Sequence, residues 1–163
     1  IFAGQGSQFV QLETMGQSDY WSTNHLSRGL AICDWNNDGR IDFIVTDLKQ
    51  PLALLENRTR TDYHWLQFEL VGTTSERDAI GATVTVQLPD RAMVKVVQTG
   101  DGYMSKNQSL IAFGLGNATS IKQVQIDWPS GQRQTFGPLA VDHRWLMIEG
   151  EASAFARDDP ADQ

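Results

Sequence analysis

Leu30-Ala31-Ile32-Cys33-Asp34-Trp35-Asn36-Asn37-Asp38-Gly39-Arg40-Ile41-Asp42-Phe43-Ile44-Val45 is the stretch on which the reading of this chain turns. Its centre puts side-chain oxygens at Asp34, Asn36, Asp38 and Asp42, which are positions 1, 3, 5 and 9 of a loop. Position 7, Arg40, can offer its backbone carbonyl, and Gly39 sits where the chain must turn sharply. A hard cation takes six to eight such oxygens at about 2.3–2.6 Å. The expected metal ligands are therefore Asp34, Asn36, Asp38, Arg40 and Asp42, and the expected cofactor is Ca²⁺. An Asx-rich turn, held by side-chain-to-backbone hydrogen bonds, explains Asn36-Asn37-Asp38-Gly39 without a metal. It does not explain a carboxylate at Asp42, already inside the next segment. Three carboxylates in one loop repel one another, and a dication would relieve that repulsion.

The flanks of the loop set the fold class. Leu30–Cys33 and Ile41–Val45 are short, apolar and β-branched, so the loop joins two strands. An EF-hand needs a carboxylate at position 12, which here is Val45, and a flanking helix. A strand–loop–strand unit with a carboxylate at position 9 resembles the calcium loops of FG-GAP (VCBS-type) β-propeller repeats. Candidate strands at 28–33, 41–47 and 51–57 give most of one blade, and Leu54-Leu55-Glu56-Asn57 resembles the close of that repeat. The segments at 1–2 and 9–13, separated by glycines, read as a hairpin of a preceding blade. A lone blade cannot bury both faces, so the resemblance implies packing on upstream blades of a parent chain.

From Tyr63 the pattern becomes a run of alternating strands. Ala82, Val84, Val86 and Leu88 alternate with polar residues, as do Val124, Ile126 and Trp128. Pro89-Asp90-Arg91 and Pro129-Ser130-Gly131 are turn signals. In the segment at 92–98, Ala92, Val94 and Val96 alternate with Met93, Lys95 and Val97. No segment keeps helical periodicity. The expectation is all-β: a partial propeller blade with FG-GAP-like hairpins over 1–62, then an antiparallel β-sandwich or barrel over 63–150. Residues 151–163 are rich in Ala, Asp and Pro and read as a disordered acidic tail.

Within 65–150, Ser75-Glu76-Arg77-Asp78-Ala79-Ile80-Gly81-Ala82, Gly102-Tyr103-Met104-Ser105, Phe113-Gly114-Leu115-Gly116 and Trp128-Pro129-Ser130-Gly131 follow in order. The series resembles the ASPIC/UnbV domain, found C-terminal to FG-GAP/VCBS repeats in bacterial secreted proteins and in the cartilage acidic protein family. One departure is Glu76, where the resemblance expects Asn. The resemblance carries architecture and a secreted or cell-envelope setting, but no reaction. Read physically, the motifs are structural: Trp128 shares a face with Val124 and Ile126, and Arg77 beside Asp78 reads as a loop-pinning ion pair. Tyr103, on a Gly-rich loop, is the aromatic able to stack on a sugar ring.

Composition narrows the partners. The 163 residues carry a formal charge of −7, which makes duplex nucleic acid and anionic membranes poor partners. No apolar run reaches the roughly 20 residues of a membrane span. The single cysteine, Cys33, reads as a small buried hydrophobe. The chain opens at Ile1 inside what reads as a structural unit, so it is expected to be a piece of a longer chain. Its three histidines, His25, His64 and His143, are far apart, and no nucleophile elbow, P-loop or His-Glu-x-x-His occurs. The sequence expectation is a non-catalytic extracellular calcium-binding module for adhesion, interaction or assembly. The alternative is a carbohydrate-binding module using Tyr103. The protein or glycan partner is left open.

Overall fold

In the computed structural model, which describes residues 2–11, 19–100 and 102–157, the chain is all-β, with a single 3-10 turn at Asp19–Ser22. It opens with a hairpin, β1 (Phe2–Gln5) and β2 (Gln8–Gln11). A three-stranded antiparallel sheet follows, made of β3 (Ser27–Cys33), β4 (Asp42–Asp47) and β5 (Ala53–Leu55). These are the strands expected around the Asp34–Asp42 loop, and the loop is their hairpin connection.

The rest of the chain forms β6 (His64–Val71), β7 (Thr83–Gln87), β8 (Ala92–Val96), β9 (Ile111–Gly116), β10 (Gln123–Asp127), β11 (Arg133–Phe136), β12 (His143–Ile148) and β13 (Phe155–Arg157). They make two four-stranded sheets, β11-β10-β7-β8 and β13-β12-β6-β9. Neither strand order closes on itself, so there is no closed barrel. Alternation fixes which side chains enter the core. Val84, Val86, Val124, Ile126 and Phe136 of one sheet share a cluster with Leu66, Phe68, Phe113, Leu115 and Met147 of the other. Phe68 and Phe113 meet edge to face, with centroids 5.9 Å apart. Burying each large apolar side chain contributes about 1.5–3 kcal/mol, and this cluster is the main stabilising mass of the chain.

Three expectations are corrected. The second unit is not wholly antiparallel, because β12 runs parallel to β6, from His143↔Leu66 to Ile148↔Val71. A parallel pair needs a long crossover. Residues 72–142, which build β7 to β11 on the way, supply it. The tail does not begin unstructured at Glu151, since Phe155–Arg157 pairs with Arg144–Leu146 of β12. Arg157 also reaches the Glu69 carboxylate. The remainder of that tail, 158–163, lies outside the described residues. Asp78 pairs with Lys106 at 3.5 Å, not with its neighbour Arg77. The two residues are neighbours in the turn closed by Ala79 N donating to Glu76 O, and sequence adjacency did not make a pair. Trp128 is buried in the core, as its alternation required.

Candidate functional site

The Asp34–Asp42 loop closes on itself through its carboxylates. Asp34, just past β3, is 2% exposed, and Asp42, opening β4, is 0% exposed. Asn37 and Gly39 take left-handed conformations at φ 58° and 81°, folding the chain back on Asp34. Asp34 Oδ1 accepts from Asp38 N at 3.0 Å, and Asp34 Oδ2 from Gly39 N at 2.9 Å. Asp42 Oδ2 accepts from Trp35 N at 3.0 Å, and Asp42 Oδ1 from Asn57 N at 2.6 Å. Asp42 therefore ties the loop to the segment that follows β5, which gives a buried carboxylate at that position a structural reason. Asp38 Oδ1 accepts from Arg40 N, while its Oδ2 meets Asn36 Nδ2 and the Arg40 guanidinium. The Arg40 side chain also donates to Asn57 O.

The loop is also a joint between the three-stranded sheet and the larger unit. Gln67 of β6, fully buried, donates from Nε2 to Asp34 Oδ2 at 2.7 Å. Arg144 of β12 reaches the same oxygen at 3.4 Å and holds Gln67 Oε1 through Nε and Nη2. The two parallel strands β6 and β12 thus place both donors side by side, at the register pair Arg144↔Gln67. Gly39 lies so close to the Trp65 ring that an added Cβ would fall 2.0 Å from Cε2. A second contact covers the outer edge of β3. Ser105 Oγ donates to Leu30 O, Ile32 N donates to Asn107 Oδ1, Gln108 N donates to Ile32 O, and Asp34 N donates to Gln108 Oε1. The Gly102–Ser105 motif therefore serves as the start of a strap that satisfies an otherwise open strand edge.

All five expected ligands lie together in this loop. Among the described residues, though, no three acidic, histidine or cysteine groups converge as metal ligands. The loop oxygens are turned toward N–H donors, and the Arg40 guanidinium stands against Asp38. The donor set of three carboxylates and an amide oxygen suits a hard dication chemically. Asp34 Oδ1, Asp38 Oδ1 and Asn36 Oδ1 each accept a single hydrogen bond and keep a lone pair. Nearby Cys33 is half-buried, and burial, then the charges of Asp42 and Asp34, push its thiol above the ordinary range. It is a poor thiolate.

Sequence reasoning missed a third buried carboxylate. Glu149, 2% exposed, follows β12 and collects five donors. Thr73 N, Thr74 N and Ser75 N converge on Oε2, and Ser75 Oγ and Ser130 Oγ on Oε1. Burial alone would raise this carboxyl. The donated hydrogen bonds, Ser130 Oγ foremost, outweigh burial and pull it from 4.5 down to about 2. Glu149 thereby ties the turn at Ser130 to the loop at Thr73–Ser75, linking two of the four sequence motifs. At the start of that loop, Gly72 has Glu76 O only 2.2 Å from where a Cβ would stand. No local sequence pattern marks Glu149.

Two units built of sheets, clasped at an acidic loop, with a single carboxylate hub joining two turns of the larger one, define an all-β module. The family model described as "ASPIC and UnbV" matches residues 72–154, just over half of the chain, and the chain belongs to that family. It is also similar to cartilage acidic protein 1 of Xenopus tropicalis, Homo sapiens and Mus musculus. Each is 24% identical over 125 residues, covering 74% of this chain and 19% of the relative. The chain thus spans about a fifth of the length of the curated relatives it matches. No helix among the described residues is long and apolar enough to cross a membrane.

Proposed function

We propose that the chain is a non-catalytic interaction and assembly module of a secreted or cell-envelope protein, in which Ca²⁺ at the Asp34–Asp42 loop firms the joint between its two units. The observation that carries this reading is Asp34. One buried carboxylate serves the loop through Asp38 N and Gly39 N, and the larger unit through Gln67 and Arg144. A cation held by Asp34, Asn36, Asp38, Asp42 and the Arg40 carbonyl would take over the counter-charge now supplied by the Arg40 side chain. The three-stranded sheet is then an FG-GAP/VCBS-like propeller element, and the two four-stranded sheets a β-sandwich. Leu26, Leu30, Leu48, Leu52 and Leu54 are exposed on and around the small sheet, which suits packing on neighbouring blades in a longer chain. The acidic character named in the relatives is matched by the charge of −7 here.

Titration calorimetry tests the cation. Extracellular calcium modules bind at about 10⁻⁴–10⁻³ M, and wild type is expected in that range. Asp38→Ala, which removes one ligand and no contact to the larger unit, is expected to abolish the heat of binding while leaving the metal-free melting temperature nearly unchanged. Equal binding by the variant would remove Asp38 from the ligand set.

A second reading, a carbohydrate-binding module, is favoured by Tyr103, which is 69% exposed on the strap anchored to β3. An exposed ring on a fixed loop suits stacking on a sugar. A saturable glycan-array signal lost in Tyr103→Ala would favour this reading over assembly.

A further inference from the structure

The side-chain phase of β8 leaves apolar residues in water. Its register against β7 sets Met93 and Lys95 opposite the buried Val86 and Val84, and Met93 and Val97 pack on the core. Val94 and Val96 face outward, 58% and 46% exposed. The backbone follows the same alternation. Arg91 O and the N–H and C=O of Val97 bond toward the β7 side. The N–H and C=O groups of Ala92, Val94 and Val96 therefore point to the far edge. Among the described residues no strand pairs there, because β8 ends its sheet. Such a row of unpaired groups is a template for one more strand.

Lys95 makes this edge selective. It is the cation in the inward-facing row. Its Nζ donates to Ala112 O at 2.6 Å, lies 5.6 Å from the centre of the Phe113 ring and, among the described residues, faces no carboxylate. A cleft of about 160 Å³ opens beside it, lined also by Ile32, Cys33, Ile41, Leu110 and Ile111. None of its lining residues is acidic. A strand laid along β8 would cover Lys95 and strip water from its ammonium, which is costly unless a counter-charge arrives with the strand. A second copy of this chain does not bring one. Antiparallel pairing centred on Val94 would set its Met93 beside Lys95.

We propose that the β8 edge receives an extended strand of a protein partner. That strand carries β-branched side chains beside Val94 and Val96 and a carboxylate on its opposite face, next to Lys95. The backbone groups of Ala92, Val94 and Val96 supply the hydrogen bonds, and the Lys95–carboxylate pair sets register and selects the guest. None of the groups that would bind the strand is an expected cation ligand, although the cleft beside Lys95 borders the loop at Cys33 and Ile41.

The test uses the full chain and a fluorescein-labelled peptide, acetyl-Thr-Leu-Val-Glu-Val-Leu-Thr-amide, read by anisotropy. Saturable binding is expected, weakened about tenfold when the peptide's Glu becomes Lys, as for loss of one charge-assisted pair. Lys95→Glu should weaken the Glu peptide and restore the Lys peptide. Val94→Pro removes one outward N–H, at an edge position where proline is tolerated. It should abolish binding with the melting temperature little changed. If Val94→Pro does not fold, the two charge swaps still decide. Absence of saturation, indifference to both swaps, or wild-type binding by folded Val94→Pro would overturn the proposal. So would self-association of wild type that Val94→Pro removes, since the occupant would then be a second copy.

Discussion

Glu149→Gln is expected to destabilise the protein by about 3 kcal/mol at neutral pH. The figure follows from the carboxyl itself, held at about 2 instead of 4.5, at 1.36 kcal/mol for each factor of ten in proton affinity. The folded-state value lies below the unfolded one. The contribution is therefore complete above about 4.5 and is lost as pH falls from there toward 2. Urea denaturation of both proteins across that range checks it. The gap between wild type and Glu149→Gln should be widest at neutral pH and narrow steadily toward pH 2. The amide replacement can turn its NH₂ toward the Ser75 and Ser130 hydroxyls, which can accept, but its neutral oxygen loses the charge that strengthens the three backbone N–H bonds. A gap that stays constant with pH would show that Glu149 acts by shape and not by charge.

Asp34→Ala is the second large effect, about 3–5 kcal/mol, typical for removing one partner of a buried hydrogen-bonded charge pair. It strands Gln67 Nε2, takes the counter-charge from Arg144, whose Nη2 keeps Gln67 Oε1, and frees the amides of Asp38 and Gly39. Its signature is local. Amide exchange should accelerate at Asp38 and Gly39, and the three-stranded sheet should lose protection before the larger core does. Loss of less than about 1 kcal/mol, with no change in exchange, would mean that the joint is held by the strap at Ser105–Gln108 alone.

Much of the fold was legible because alternation is a direct record of burial. The strands at Thr83–Gln87 and Gln123–Asp127, the loop between β3 and β4, and the burial of Trp128 all followed from period two and turn residues. The phase of β8 was not legible. Ala92, Val94 and Val96 look at least as apolar as Met93, Lys95 and Val97, and only the tertiary register against β7 decides which row turns inward. The parallel return of β12 to β6 was hidden as well, since sequence alternation carries no strand direction. For the candidate site, the sequence placed the five expected ligands in one loop but showed neither of the outside partners. Gln67 and Arg144 lie 33 and 110 positions from Asp34 in the chain. Glu149 had no local signature because its donors are backbone amides and hydroxyls from two remote turns.

The measurement closest to the central reading is thermal melting of the full chain in calcium, with magnesium as control. A ligand that binds only the folded state stabilises it by RT ln(1 + [L]/Kd), about 1.4–2.7 kcal/mol at 10 mM for the affinities of extracellular calcium modules. The account predicts a rise in melting temperature with Ca²⁺, little with Mg²⁺, and none for Asp38→Ala in either. A wild-type melting temperature indifferent to calcium would contradict it. The Asp34–Asp42 loop would then be a joint made only of hydrogen bonds.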